Sequence, residues 1–254
     1  MSNAGQSTTE SISVELRIGS ENIKISSEIS NQPIHIHELL PFFQAITNKV
    51  VEICVKEVQQ QGKNISCKKG CGACCSQLVP VSRAEGYQLA NLVNAMPAER
   101  QQVIRERFAQ NINALKDAGI LHLLDQKVDA NNAVQLREVG LSYFKLNLPC
   151  PFMEEQACSI HEDRPLSCRE YLVTSNPVHC AKAIPGTVEG LILPKRVSAI
   201  IYKMSRDLNE GDAGFLPLIM LLDRAEELAS TQVKRPAIDL IKQFLSILTD
   251  TPVQ

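Results

Sequence analysis

Four cysteines in nine residues, Cys67-Lys-Lys-Gly-Cys71-Gly-Ala-Cys74-Cys75, are the feature that most limits how this chain can fold. A free thiol is mostly protonated at neutral pH and neighbouring thiolates repel one another, so a bound cation is what makes such a cluster favourable. Four more cysteines follow in Cys150-Pro-Phe-Met-Glu-Glu-Gln-Ala-Cys158-Ser-Ile-His161-Glu-Asp-Arg164-Pro165-Leu-Ser-Cys168-Arg169-Glu-Tyr171 and at Cys180. The two blocks read as halves of one metal site.

Disulfides are the competing use of nine cysteines. The first residues, Met1 to Gly5 and the Ser/Thr-rich run after them, contain no apolar stretch, so no secretory leader is expected, and no later stretch has the length of a membrane span. A cytoplasmic protein is expected, and there thiols stay reduced and metal ligation leads. A net charge of -2 offers no basic field for nucleic acid or an anionic membrane. The expected partner is a protein or a small-molecule substrate.

The pattern along the chain is mainly helical. Val14, Leu16 and Ile18 alternate with polar residues, as do Ile23 and Ile25, with Gly19-Ser-Glu-Asn22 between, which predicts a short β-hairpin or arm over residues 1–34. From Leu39 to Val58 the apolar residues recur at helical spacing, and Cys54 falls on that stripe as a small buried hydrophobe. Ser82-Arg-Ala-Glu85 is a capping box that starts a helix with Leu89, Leu92, Val93 and Met96 on its inner face. Pro97 opens another, carrying Val103, Ile104, Phe108, Ile112 and Leu115 until Gly119 ends it. A short helix is expected around Gln135 to Val139. The second cysteine block is Pro-rich and without periodicity, a loop that needs a bound metal to hold it. Helices are then expected at Val197 to Met204, Leu216 to Leu228 and Ala237 to Leu248. Residues 35–254 thus read as a single helical domain with irregular, metal-stabilised Cys-rich loops, a cysteine-cluster core over 67–180 and a C-terminal helical cap over 194–250.

Within the first block, Cys71, Cys74 and Cys75 stand at i, i+3 and i+4, so one helical turn would put their sulfurs on one face. Gly70 and Gly72 favour a knuckle instead, since glycine takes positive φ and lets backbone approach closely. The candidate ligands are Cys67, Cys71, Cys74, Cys75, Cys150, Cys158, Cys168 and Cys180. Lys63, Lys68 and Lys69 beside the first block, and Arg164 and Arg169 inside the second, would offset thiolate charge, the two arginines by hydrogen bonding around the ligands. Of five histidines only His161 and His179 neighbour the cysteines. The carboxylate pairs Glu154-Glu155 and Glu226-Glu227 read as solvated surface, and Phe152 and Tyr171 as walls that keep water out. No hydrolase triad, phosphate loop or dinucleotide fingerprint is present, so no catalytic residue is assigned.

Taken in order, Cys67-x3-Cys71-x2-Cys74-Cys75, Cys150-Pro151-Phe152, Cys158-x-Ile160-His161 and Arg164-Pro165-x2-Cys168-Arg169-x-Tyr171 resemble the YkgJ-type cysteine-cluster proteins, known by a zinc- or iron-chelating CxxCxxCC domain. The resemblance covers roughly 67 to 180 and departs in the x3 spacing after Cys67. It implies metal binding through these cysteines. The cysteine domain also looks similar to that of a flagellin lysine N-methylase, which implies a [4Fe–4S] cluster and S-adenosylmethionine-dependent methyl transfer as one use. Three readings follow: a [4Fe–4S] protein with a redox or methyl-transfer role, a structural zinc-binding interaction domain, and a metal-handling protein.

Overall fold

The computed structural model describes residues 9–18, 21–125, 133–182, 184, 186–208 and 213–251, about half of the chain being helical. The chain enters as an antiparallel hairpin of β1 (Thr9–Ile18) and β2 (Glu21–Ser30), in register from Thr9 opposite Ser30 to Ile18 opposite Glu21. These ten-residue strands are longer than the expected short hairpin, because Glu21 and Asn22 continue the pairing instead of turning. Gly19 and Ser20 lie outside the described residues. Period-two alternation buries Ile12, Ile18 and Ile29.

β3 (Pro33–His35) and a 3-10 turn lead into α1 (Leu40–Gln60), with Pro41 in its first turn, where its missing N–H costs nothing. After the first cysteine block come β4 (Pro80–Ser82), α2 (Arg83–Asn94), α3 (Ala98–Asp117), α4 (Leu121–Asp125) and α5 (Ala133–Lys145). The capping box forms as expected, and Gly119 takes φ +68 just past α3. Val103 departs from its expected inner position at 43% exposed, because it sits beside Ile104 on the outer edge of the stripe. The expected helix at 135–139 extends to all of α5.

The second cysteine block carries more regular structure than a bare loop. It folds β5 (Met153–Glu154) onto β6 (Ala157–Cys158), then α6 (Leu166–Glu170), then a 3-10 turn at Pro177–Ala181. Glu155 and Gln156 make the tight turn at positive φ. α7 (Val197–Leu208) is followed by β7 (Phe215–Pro217), a 3-10 turn at Leu218–Met220, α8 (Ala225–Ser230), β8 (Lys234–Pro236) and α9 (Ala237–Thr249).

The single helix expected from Leu216 to Leu228 is therefore replaced by strand, turn and short helix. Pro217 is the physical reason: without an N–H it interrupts a helical ladder, and Leu216 pairs instead with Val81 of β4. β3 likewise pairs with β8. Two apolar clusters result, one joining the hairpin to α1, α7 and α9, the other joining α2 and α3 to Phe152, Ile160 and Leu218–Leu221. Among the described residues no helix is long and apolar enough to cross a membrane.

Candidate metal centre

The first cysteine block is anchored before it begins. Ser66 donates its backbone N–H to Val173 (2.9 Å) and its hydroxyl to the Thr174 carbonyl (3.0 Å), which pins the approach to Cys67 against the chain leaving α6. The block then runs as successive turns. Gly70 takes φ +82, Cys71 N–H donates to Lys68 (3.0 Å), Cys75 N–H to Gly72 (2.9 Å), and Gln77 N–H to Cys74 (3.1 Å). This is the glycine knuckle; residues 71–75 form no α-helix. Gly72 serves by close approach: a Cβ there would stand 2.7 Å from the Gln156 carbonyl oxygen and 3.1 Å from the Met153 sulfur. The knuckle thus lies flat against the β5–β6 hairpin, and one further bond, Cys150 N–H to the Cys75 carbonyl at 2.7 Å, fixes the two blocks together.

The helices hold the second block from behind. On α3, Arg107 donates to the carbonyls of Pro151 (3.2 Å) and Met153 (3.3 Å), and Asn111 to that of Pro149 (2.8 Å). Half-buried Glu154 pairs with Arg100 and Arg107, and Glu227, on the expected solvated surface, pairs with Arg83 and Arg224. On α2, the capping-box Glu85 is buried, and beyond its bonds to Ser82 it accepts the Leu166 N–H at 2.7 Å, so the start of α2 carries the start of α6. α6 presents Cys168. Its far end is fixed by Glu170, which accepts the backbone N–H and hydroxyl of Ser198 at the head of α7. Ser167 donates to the Pro80 carbonyl. Gln77 reaches across to Tyr171 Oη (3.1 Å) and to the Cys180 carbonyl (3.3 Å).

All eight candidate cysteines line one cavity of about 330 Å³, whose walls include Phe152, Ile160 and Leu218 from one apolar cluster, Leu172 from the other, and Tyr171 and Tyr202. The ninth, Cys54, is buried in the core on α1 and does not line it. Thiol is the right donor for zinc or for iron–sulfur chemistry, so the donor set fits the metals the sequence implies. Among the described residues no group of three or more histidine, cysteine, aspartate or glutamate side chains is already drawn together to hold an ion.

Electrostatically the cavity favours neutral thiols over free thiolates. Burial pushes Cys67, Cys158, Cys168 and Cys180 above the ordinary thiol range and Cys150 up to about 12; Cys74 is raised first by its hydrogen bond with Cys75 and then by burial. Arg164 opposes this. It lines the cavity, and its guanidinium draws down Cys67, Cys74, Cys158 and Cys168, while its Nε is buried with no hydrogen-bond partner. Lys68 stands at the cavity too, whereas Lys63 pairs with Glu189 at the surface.

Arg169 acts behind the site. It donates to the carbonyls of Arg164 and Glu162 and to Asn48 Oδ1, so it shapes the loop that carries Arg164. His161 lines the cavity, while the His179 ring bonds the Thr187 carbonyl. Sequence reasoning missed Ser66, Gln77, Ser167, Glu170 and the second role of Glu85. Only Glu85 carried a local signal, its capping box. The others bond to residues far along the chain.

No curated protein and no solved structure matches the chain. Residues 66–182, the segment that contains every thiol of the cavity, match the family model CxxCxxCC, described as a "putative zinc- or iron-chelating domain".

Proposed function

We propose that the chain is a metalloprotein whose thiol cavity holds cysteine-ligated iron–sulfur chemistry of the [4Fe–4S] type, in a redox role or in S-adenosylmethionine-dependent methyl transfer. The observation that carries this reading is the convergence of eight thiols from two distant blocks on one cavity. A cubane cluster with four thiolates bears net negative charge, and Arg164 and Lys68 at the cavity are the groups that offset it. The unpartnered Nε–H of Arg164 is a donor that would be available to a metal-bound thiolate, the kind of group that tunes a metal centre. Phe152, Ile160 and Leu218 exclude water. When bound, the cluster would supply one-electron transfer with four thiolate ligands, or with three an iron free to take a co-substrate, and the chain would supply ligands and charge.

A structural zinc ion is the second reading, favoured by the Cys71-x2-Cys74 knuckle, whose spacing zinc sites share. The action is proposed in the cytoplasm on a protein or small molecule, with neither nucleic acid nor membrane as partner. Anaerobic purification followed by metal and sulfide analysis tests the reading: iron and acid-labile sulfide in equal amounts, about four of each per cluster, are expected. Colourless protein carrying zinc without sulfide overturns it. Saturable binding of S-adenosylmethionine to the iron-loaded protein in equilibrium dialysis separates methyl transfer from a purely redox role.

A further inference from the structure

A second cavity, of about 350 Å³, adjoins the thiol cavity, and Gln77, Leu78 and Cys180 line both. Its size is at the lower end of small-molecule sites, about 300–1,000 Å³. One wall is a single face of α5, on which Arg137, Gly140, Leu141 and Phe144 recur at i, i+3, i+4 and i+7. Another is the turn at Pro177–Ala181 and the chain beyond it, which contribute His179, Lys182, Ile184 and Val188. Gly140 keeps the space open: a Cβ there would have nothing within 4 Å beyond its own stretch of helix.

The charge around this space is one-sided. No acidic residue lines it. Glu138 lies beside Arg137 in sequence but outside the lining, and Glu189, which follows Val188, is paired with Lys63. Of the basic residues, His179 gives its ring Nδ1–H to the Thr187 carbonyl at 2.8 Å. Arg137 and Lys182, both exposed, have no ion pair among the described residues. A guanidinium takes a carboxylate in two parallel hydrogen bonds, and a lysine ammonium adds a point charge. The apolar walls beside them suit a hydrocarbon body.

We propose that this second cavity binds a small organic acid, its carboxylate on Arg137 and Lys182 and its hydrocarbon body against Leu141 and Phe144, and so holds the substrate of the adjoining metal centre. The role as substrate site rests on the reading of the thiol cavity as a metal site; the binding of the acid stands without it. Cys180 is the candidate ligand common to both cavities, so an acid bound here would lie against the shell of the metal.

Equilibrium dialysis of the full chain against hexanoate tests the acid site. Saturable binding is expected, with hexanol and inorganic phosphate weaker, because each lacks part of what the cavity offers. Arg137→Gln is expected to weaken hexanoate about fivefold, the upper end for an exposed ion pair. Gly140→Leu should abolish binding by filling the space, with far-UV circular dichroism unchanged, since leucine is the better helix former. Neighbourhood to the metal is read by nuclear magnetic resonance of hexanoate on protein loaded with cobalt(II) or zinc(II): its signals should shift or broaden with cobalt and not with zinc. Signals alike with both metals overturn the substrate role. No saturable hexanoate binding by chain that holds metal overturns the acid site and leaves the metal centre standing, and a chain that holds no metal, as purified or loaded, overturns the centre while dialysis still decides the acid site. Hexanoate bound equally by both variants lies elsewhere and overturns the assignment, and phosphate bound as tightly as hexanoate overturns the choice of an organic acid.

Discussion

Glu85 links the helical frame to the site, and its removal makes a quantitative test. Its carboxylate accepts three hydrogen bonds, from Ser82 N–H (2.9 Å), Ser82 Oγ–H (2.8 Å) and Leu166 N–H (2.7 Å), at a position only 4% exposed. Glu85→Ala leaves two backbone donors buried without acceptors, at about 1–3 kcal/mol each, and weakens the α2 cap by up to about 1 kcal/mol more. Against this stands the desolvation of the carboxylate, which pushes the Glu85 carboxyl above its ordinary range and is relieved on truncation. A net loss of about 2–4 kcal/mol is expected, a large fraction of the 5–15 kcal/mol typical of a folded domain. With an m-value of about 3 kcal/mol/M, the urea midpoint drops by roughly 1 M. Glu85→Gln should fall between, because its single amide oxygen can face Ser82 or Leu166 but not both. Equilibrium urea unfolding followed by far-UV circular dichroism gives these numbers. An unchanged or raised midpoint in Glu85→Ala would show that desolvation outweighs the three bonds and refute the reasoning.

Other outcomes can be measured alongside. Gly72→Ala drives a methyl to 2.7 Å from a backbone oxygen of Gln156, which should cost about 1–3 kcal/mol and lower the metal content of the purified protein. Cys54→Ser should cost about 1–3 kcal/mol through an unpaired buried hydroxyl yet leave metal content unchanged, whereas Cys71→Ser and Cys168→Ser should lower it, by elemental analysis against protein concentration. The bond from Arg83 holds the Glu227 carboxyl below its ordinary range, so what this pair adds to stability is complete above the ordinary carboxyl value and lost as pH falls through the depressed one. Exposure of Glu227 keeps the effect small, and Arg83→Gln should flatten the acid limb of a stability-against-pH curve.

The helices legible in sequence are those whose signals are local. α1 follows from unbroken helical spacing, α2 from Ser82 and Glu85, and the end of α3 from Gly119. Leu216 to Leu228 misleads because a continuous apolar run carries no period, and its partner, Val81 of β4, lies far away in sequence. The thiols themselves were legible, since cysteine density is a chemical signal that needs no partner to be read. Their supports were not. Gln77 and Ser167 resemble any polar loop residue until Tyr171, the Cys180 carbonyl and the Pro80 carbonyl are beside them. Arg164 and Arg169 look equivalent in sequence, yet one faces the cavity and the other braces the loop behind it.

The bond from Cys150 N–H to the Cys75 carbonyl also has a meaning in time. At roughly 5–20 residues per second, a ribosome needs on the order of ten seconds to go from the first block to Cys180. Through that interval four thiols of the nascent chain wait without the partners that complete their cavity. Closing so long a loop is slow compared with forming the helices between. Metal captured early would be held by the knuckle alone, weakly and exchangeably, and retention becomes durable only when the last turn docks. Durable metal would then be a report that the chain has been made past Cys180 and that its two cysteine blocks have docked.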